Sequence, residues 1–325
     1  MFPIIPRYIV CYNLPMNQKK RKKRKLRTWV KVVLTLLGIT IAWSVLRPLL
    51  SKEEHEANRN DPDQTAYKVD TNAVVLIDPG HGGMDGGAIS TSNKAEKQYS
   101  LEYALKIGEY IQQYNPNIEV IYTHNSDEIP WENVNSYNYA LDDLNGRTNL
   151  IYEKDPDYVL SVHFNSREDN SEYGYESYVR KDDVASDTIY SYIVKNLEAI
   201  PWSKNNGGWS TEGYPLQIVD MVKSPSMLIE LGYLTNANEV NELNTEATKD
   251  KICKAIAKAY CQYIADNPGP TERQDLAKNP NVIAENLPEE ERKKVEEARA
   301  KEKAEQEAAQ AAANSSSAEQ VPNTN

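Results

Sequence analysis

The sequence predicts an α/β fold: a single domain with a mostly parallel, twisted sheet flanked by helices, preceded by an N-terminal transmembrane helix. Three observations predict it. Between residues 73 and 266, short apolar runs ended by turn residues alternate with longer segments of helical apolar spacing. The first 50 residues hold 11 of the 37 Lys and Arg and no Asp or Glu. An uncharged run of 15 residues, Val32 to Leu46, follows directly on that basic region.

The elements follow in order. Ala73 to Ile77 is an apolar run stopped by Asp78-Pro79-Gly80, which reads as a buried strand. Glu96 to Tyr114 places Leu101, Ala104, Leu105, Gly108 and Ile111 at helical spacing, and Asn115-Pro116-Asn117 ends it. Glu119 to Thr123 is a second strand. Residues 125–146, rich in Asn, Asp, Ser and Tyr, read as a loop that would cover a site beside it. Arg147 to Glu153 is a helix ended by Asp155-Pro156. Strands are predicted at Tyr158 to Val162, Gly174 to Val179, Leu216 to Val219 and Ser226 to Ile229. Helices are predicted over 184–199 and from Val240 to Ile264. Asn267-Pro268-Gly269-Pro270 closes the domain. Beyond it, residues 267–325 read as a charged, low-complexity tail. Within it Pro288 to Ala313 suits a solvated helix with almost no apolar stripe after Val295, and the terminal Asn/Ser run suits disorder.

The N-terminus divides into a basic cytoplasmic segment (1–28), an anchor (29–50) and a polar stalk (51–72). Spanning a bilayer takes roughly 20 residues. Lys31 and Arg47 extend the apolar run by snorkelling, so that Trp29 to Leu50 suffices. The basic block Lys19 to Lys25 with Arg27 stays cytoplasmic by the positive-inside rule, which places the domain outside the cell membrane as a single-pass protein. A cleaved signal peptide is the rival reading, but Ala42-Trp43-Ser44 lies inside the apolar run and makes a poor cleavage site.

Past residue 50 the chain carries 26 basic and 48 acidic residues, a formal charge of −22. That balance argues against nucleic acid as a partner. Of the three Cys, Cys11 precedes the anchor. Cys253 and Cys261 are eight apart in one predicted helix, about 12 Å along its axis, and cannot pair without breaking it. They read as packing residues.

The chemistry is concentrated in four short segments. They are Ile77-Asp78-Pro79-Gly80-His81-Gly82-Gly83, the helix start at Glu96, Ser161-Val162-His163-Phe164-Asn165, and Leu228-Ile229-Glu230-Leu231-Gly232. Ligands in open α/β sheets bind beyond the carboxyl ends of strands. His81, His163 and Glu230 each follow a predicted strand, and Glu96 opens a helix facing the same edge. Two imidazoles and one carboxylate are a catalytic zinc set that leaves a position for water, and a second carboxylate can move the proton. The division places His81, Glu96 and His163 on the metal and Glu230 on the water. Each residue alone has a plainer reading, as a satisfied polar side chain or a helix cap. The weight lies in their joint occurrence in a chain with four His. The other two, His55 in the stalk and His124 after a strand, keep the plainer reading. The Gly-rich segment is not a phosphate loop, because it lacks the Gly-Lys-Ser/Thr ending.

These segments resemble the signatures of the zinc-dependent N-acetylmuramoyl-L-alanine amidases of bacterial cell walls, the type 3 amidases. Asp78 to Gly83 is similar to the opening motif. Glu96-Lys97 with Leu101 is similar to the second, Ser161 to Asn165 to the third, and Ile229-Glu230-Leu231-Gly232-Tyr233-Leu234-Thr235-Asn236 to the last. The Arg147-to-His163 spacing and Gly174-Tyr175-Glu176 fit as well. The resemblance covers about 73 to 265. It implies zinc (Zn2+) held by His81, Glu96 and His163, and a zinc-bound water activated by Glu230 as general base and then general acid. The implied substrate is peptidoglycan, at the amide joining N-acetylmuramic acid to L-alanine. The membrane anchor would keep such an enzyme beside the wall. Departures occur at Ser100, at Tyr152 and around Gly207-Gly208, where the family's usual Arg-Gly is missing. They lie away from the proposed ligands and base and bear on substrate preference. Two other readings remain open: a non-catalytic wall-binding or regulatory protein of this fold, and a zinc peptidase acting on stem peptides.

Overall fold

The structure is a computed structural model that describes residues 72–131 and 138–318. The predicted basic segment, anchor and stalk lie outside the described residues, apart from Asn72. Among the described residues no helix is long and apolar enough to cross a membrane. The elements are β1 (Ala73–Pro79), α1 (Glu96–Tyr114), β2 (Ile118–Tyr122), α2 (Tyr139–Lys154), β3 (Tyr158–Asn165), β4 (Tyr175–Val179), α3 (Val184–Leu197), β5 (Asn205–Ser210), α4 (Gln217–Asp220), β6 (Ser226–Tyr233), α5 (Ala237–Leu243), α6 (Glu246–Asp266), a 3-10 turn (Ala284–Asn286) and α7 (Glu289–Ala318).

One six-stranded sheet has the order β2-β1-β3-β6-β4-β5. Its pairs are parallel except β4 with β6, which is antiparallel. The mostly parallel sheet predicted from the alternation is therefore present, with β4 and β5 reversed against the other four strands. Because side chains alternate across a strand, each strand feeds two cores. Val75, Ile77, Leu160, Val162, Met227 and Ile229 belong to the larger core, with Tyr103, Ile107 and Ile111 of α1, Ile193 of α3 and Ile256 and Tyr260 of α6. Leu76, Val159 and Leu228 face the other way, against Ile151 of α2 and Ile218 and Val219 of α4. Helices thus cover both faces, but the second face is covered only by α2 and the four-residue α4. His163 and Glu230 share the parity of Val159 and Leu228, so they rise on this thinly covered side.

Several local expectations are corrected. The buried side of α1 is built on Tyr99, Tyr103, Ala104, Ile107 and Ile111, while Leu101 and Leu105 are only half-buried. The helix predicted from Arg147 begins at Tyr139. Leu216 to Val219 is no strand. The Asp220 carboxylate accepts the Leu216 N–H at 2.8 Å and the Thr211 hydroxyl at 2.9 Å, closing this stretch into the short α4. The sheet takes its outer strand instead from β5, whose Asn-Asn-Gly-Gly composition hid it. The helix predicted over Val240 to Ile264 is interrupted at Asn244, which caps α5 just before Thr245 starts α6. Cys253 and Cys261 are free and buried, their thiols directed at the Tyr103 and Ile111 carbonyls at 3.7 Å.

The charged segment predicted from residue 267 runs along the domain for much of its described length. Leu276, Val282, Ala284, Leu287 and Val295 are buried with Met221. Arg299 donates to the Ala277, Asn279 and Val282 carbonyls. Beyond Arg299, α7 is exposed from Ala300 to Ala311, in keeping with its missing apolar stripe.

Candidate metal centre

His81 lies two residues past β1, in a loop whose backbone is dictated by the space around it. His81 itself has φ 62, an unusual left-handed conformation for a residue with a Cβ. Arg147 holds it there. This buried guanidinium donates to the carbonyls of Pro79 (2.6 Å) and His81, and to the carboxylates of Asp78 (2.6 Å) and Asp143 (2.8 Å). Asp78 also accepts from Thr123 at 2.6 Å and Ser161 at 2.7 Å. Burial opposes its ionisation, but Arg147 and the two hydroxyls outweigh that and hold its carboxyl below the usual range. The loop, β3 and α2 are thereby tied at one buried charge pair. Glycine is required at two points. A Cβ on Gly80 would overlap the His163 ring, and one on Gly87 (φ 62) would come within 2.6 Å of Glu96 Oε2.

Glu96 is the first residue of α1, a favourable place for a carboxylate at the positive end of the helix dipole. Its Oε2 accepts the Ala88 N–H at 3.0 Å and its Oε1 the Phe164 N–H at 3.1 Å. Oε1 also stands 3.0 Å from His81 Nε2 and 3.3 Å from His163 Nδ1. Asp85 accepts from the other His81 nitrogen, Nδ1, at 2.7 Å and so fixes the ring with Nε2 turned inward. The sequence reading missed Asp85; a carboxylate four residues past a candidate ligand on a Gly-rich turn was the signal that could have found it.

Donor atoms of His81, Glu96 and His163 all lie within 4.8 Å of one another, a set that could hold a metal ion. Ligands about 2.0–2.1 Å from a tetrahedral ion stand roughly 3.3 Å apart, so the 3.0 and 3.3 Å separations suit one. The electrostatics agree. Burial alone would lower the proton affinity of His81, but the bonds to Asp85 and Glu96 reverse this and raise its pKa to about 10. Burial likewise opposes ionisation of Glu96, and the bonds from His163 and His81 overcome it. The cluster is built around positive charge at its centre, which a proton supplies when no cation does.

His163 and Glu230 lie within β3 and β6, whose ends run past the predicted Val162 and Ile229. The two residues are paired in register on adjacent strands. Their apolar neighbours Phe164 and Leu231 turn into the larger core, which allows strands to carry such polar residues on the opposite side. Glu230 Oε2 is inaccessible and has no hydrogen-bond partner. Burial, with the charges of Glu96 and Glu176 added, pushes its carboxyl up to about 8, and His81 works slightly against this. All four predicted residues are therefore assembled at one edge of the sheet. His124 is buried, bonded to Thr123 at 3.2 Å, and kept neutral by burial and by Arg147, its pKa lowered to about 4. His55 lies outside the described residues, as do residues 132–137 of the predicted covering loop.

The chain is 28% identical over 205 residues to the germination-specific N-acetylmuramoyl-L-alanine amidase of Bacillus subtilis, covering 61% of this chain and 83% of that one. The catalytic domain of CwlV, an N-acetylmuramoyl-L-alanine amidase from Bacillus (Paenibacillus) polymyxa var. colistinus, superposes with a TM-score of 0.50 at 27% identity, over 59% of this chain and 98% of that one. The CwlD amidase of Clostridioides difficile, solved in complex with the GerS lipoprotein, gives a TM-score of 0.54 at 26% identity over 60% and 100% of the two chains. Residues 75–262 match the family described as N-acetylmuramoyl-L-alanine amidase, Amidase_3. The chain belongs to the Amidase_3 family of N-acetylmuramoyl-L-alanine amidases.

Proposed function

We propose that this chain is a membrane-anchored zinc amidase of the cell wall. It hydrolyses the amide between N-acetylmuramic acid and L-alanine in peptidoglycan. The observation that carries this reading is the convergence of His81, Glu96 and His163 next to Glu230, whose Oε2 is inaccessible and unpartnered. Two neutral imidazoles and a carboxylate suit zinc, which when bound would polarise the carbonyl and lower the pKa of a water at the site to about 7.

The protein's own groups have separate tasks. Asp85 and Arg147 fix His81, one through its ring and the other through its carbonyl. Glu96 is held by two backbone N–H groups, so it does not have to reorganise when charge arrives. Glu230 takes the proton from the attacking water and returns it to the leaving nitrogen as the C–N bond breaks. A pKa of about 8 without a cation beside it, lowered by a dication at the ligand set, brings this carboxyl towards the working pH for both transfers. Residues 29–50 hold the domain on the outer face of the cell membrane, next to its substrate.

The test is mass analysis of a peptidoglycan digest by the full-length zinc-loaded protein and its Glu230→Gln variant. The expected products are a muramoyl carboxylate and a stem peptide with a free L-alanine amino terminus. The variant should retain its zinc and lose activity by roughly 10²–10⁴-fold. Cleavage inside the stem peptide would make the protein a peptidase, and binding without turnover a wall-binding protein.

A further inference from the structure

The face of the sheet that carries Glu230 continues across β4 to the outer strand β5. Glu176 of β4 is in register with Glu230 of β6, and Tyr178 of β4 with Trp209 of β5. Residues in register share a face, and Glu176 and Tyr178 are two apart, so these four side chains lie on one side. Adjacent strands are about 4.8 Å apart, which puts β5 roughly 10 Å from β6. Trp209 leans back across this gap. Its indole Nε1 donates to Glu176 Oε2 at 3.1 Å. The ring lies over Gly207, where a Cβ would stand 3.9 Å from it. Glu176 is 4% exposed and also accepts from Asn165 Nδ2 (2.7 Å), Tyr178 (3.2 Å) and Tyr233 (3.4 Å). Trp209 is nevertheless 51% exposed. A buried carboxylate thus fixes the ring by its one polar atom and leaves an apolar π-face open to solvent.

We propose that Trp209, held by Glu176, is the platform of a saccharide subsite that takes a pyranose ring of the glycan strand. The proposal rests on the amidase reading, because that reaction places a sugar on one side of the scissile bond. The C–H face of an N-acetylated pyranose is apolar and its rim is neutral and polar, which suits an indole whose N–H is already satisfied. A stem peptide bearing carboxylates would require a cation. Lys181, two residues past β4, is paired with Glu212 at 3.0 Å, and the Glu176 carboxylate at the ring's edge repels acids. With the sugar over β4 and β5, the stem peptide leaves toward β1 and β2. Fixing the ring in advance reduces the entropy lost on binding.

The experiment compares the full-length wild type with Trp209→Ala and Trp209→Phe. It measures calorimetric binding of an N-acetylglucosamine tetramer, and KM and kcat on purified peptidoglycan. Zinc content and melting temperature confirm that each variant is folded. Trp209→Ala should weaken oligosaccharide binding at least about tenfold and raise KM similarly, with kcat nearly unchanged. Trp209→Phe keeps a ring but loses the bond to Glu176, and should fall between. Unchanged tetramer affinity and KM in Trp209→Ala would overturn the proposal. So would a loss confined to free stem peptide. Should the wild type release no stem peptide, the amidase reading fails, and the tetramer binding still reports on the platform independently.

Discussion

His81 and Glu230 both hold protons more tightly than they would in solution, for different physical reasons. For His81 burial is opposed and outweighed by the Asp85 and Glu96 carboxylates, which raise its pKa to about 10. For Glu230 burial is itself the main cause, with Glu96 and Glu176 adding to it, and its pKa is about 8. Both folded-state values exceed the ordinary 6.5 and 4.5. A raised pKa stabilises the fold fully below the ordinary value and loses that contribution as pH climbs through the raised one. The melting temperature of the chelated protein should therefore fall between about pH 5 and 10, most steeply between about pH 6.5 and 8, where both groups hold protons that the unfolded chain has lost. Zinc bound at this set would take the place of the proton on His81, so the zinc-loaded protein should lose less over the same range. Scanning calorimetry of both forms across this range checks it. A chelated protein that gains stability from pH 7 to 10 would contradict the electrostatic account of the site.

At the scale of elements, the site depends on how closely β1 and its loop pass over β3. Gly80 has ordinary backbone dihedrals, so its requirement is one of space: a Cβ would overlap the His163 ring. Gly80→Ala should displace that ring and weaken zinc binding at least about tenfold, as displaced ligand supports do, with little change in the fold. Competition with a chromogenic chelator measures it, and unchanged affinity would show that His163 can move without cost. The same elements show what the sequence made legible. β1, β3 and β6 announce themselves as apolar runs because both faces of these central strands are buried, and the ligands and Glu230 sit where those runs meet polar residues. β5 is an outer strand with one neighbour and exposed side chains, so nothing selects an apolar pattern in Asn205–Ser210. Leu216 to Val219 looks like a strand because apolar residues face the core, yet the Asp220 carboxylate turns the backbone. The supporting role of Asp85 depends on a turn that periodicity does not encode, and that of Glu176 on Trp209 and Tyr233, partners far along the chain.

For the whole molecule, the sequence divides into an N-terminal basic and apolar region and an acidic domain of the amidase family. That division predicts that the full-length protein sediments with membranes, resists extraction by high salt, and is released by detergent. External protease should digest the domain in cells stripped of their wall. Recovery of the intact full-length chain in the soluble fraction would contradict the anchor while leaving the site untouched. Packing from α6 through Arg299 shows that the charged C-terminal segment stays against the domain well past the family match at residue 262. The central claim remains chemical, that His81, Glu96 and His163 hold one zinc ion on which amide hydrolysis depends. The most direct measurement is metal content and stem-peptide release by the same full-length preparation, before chelation, after it, and after zinc is restored. The account predicts about one zinc per chain, activity lost with the metal, and activity recovered with zinc. Full release of stem peptides by metal-free protein would contradict it.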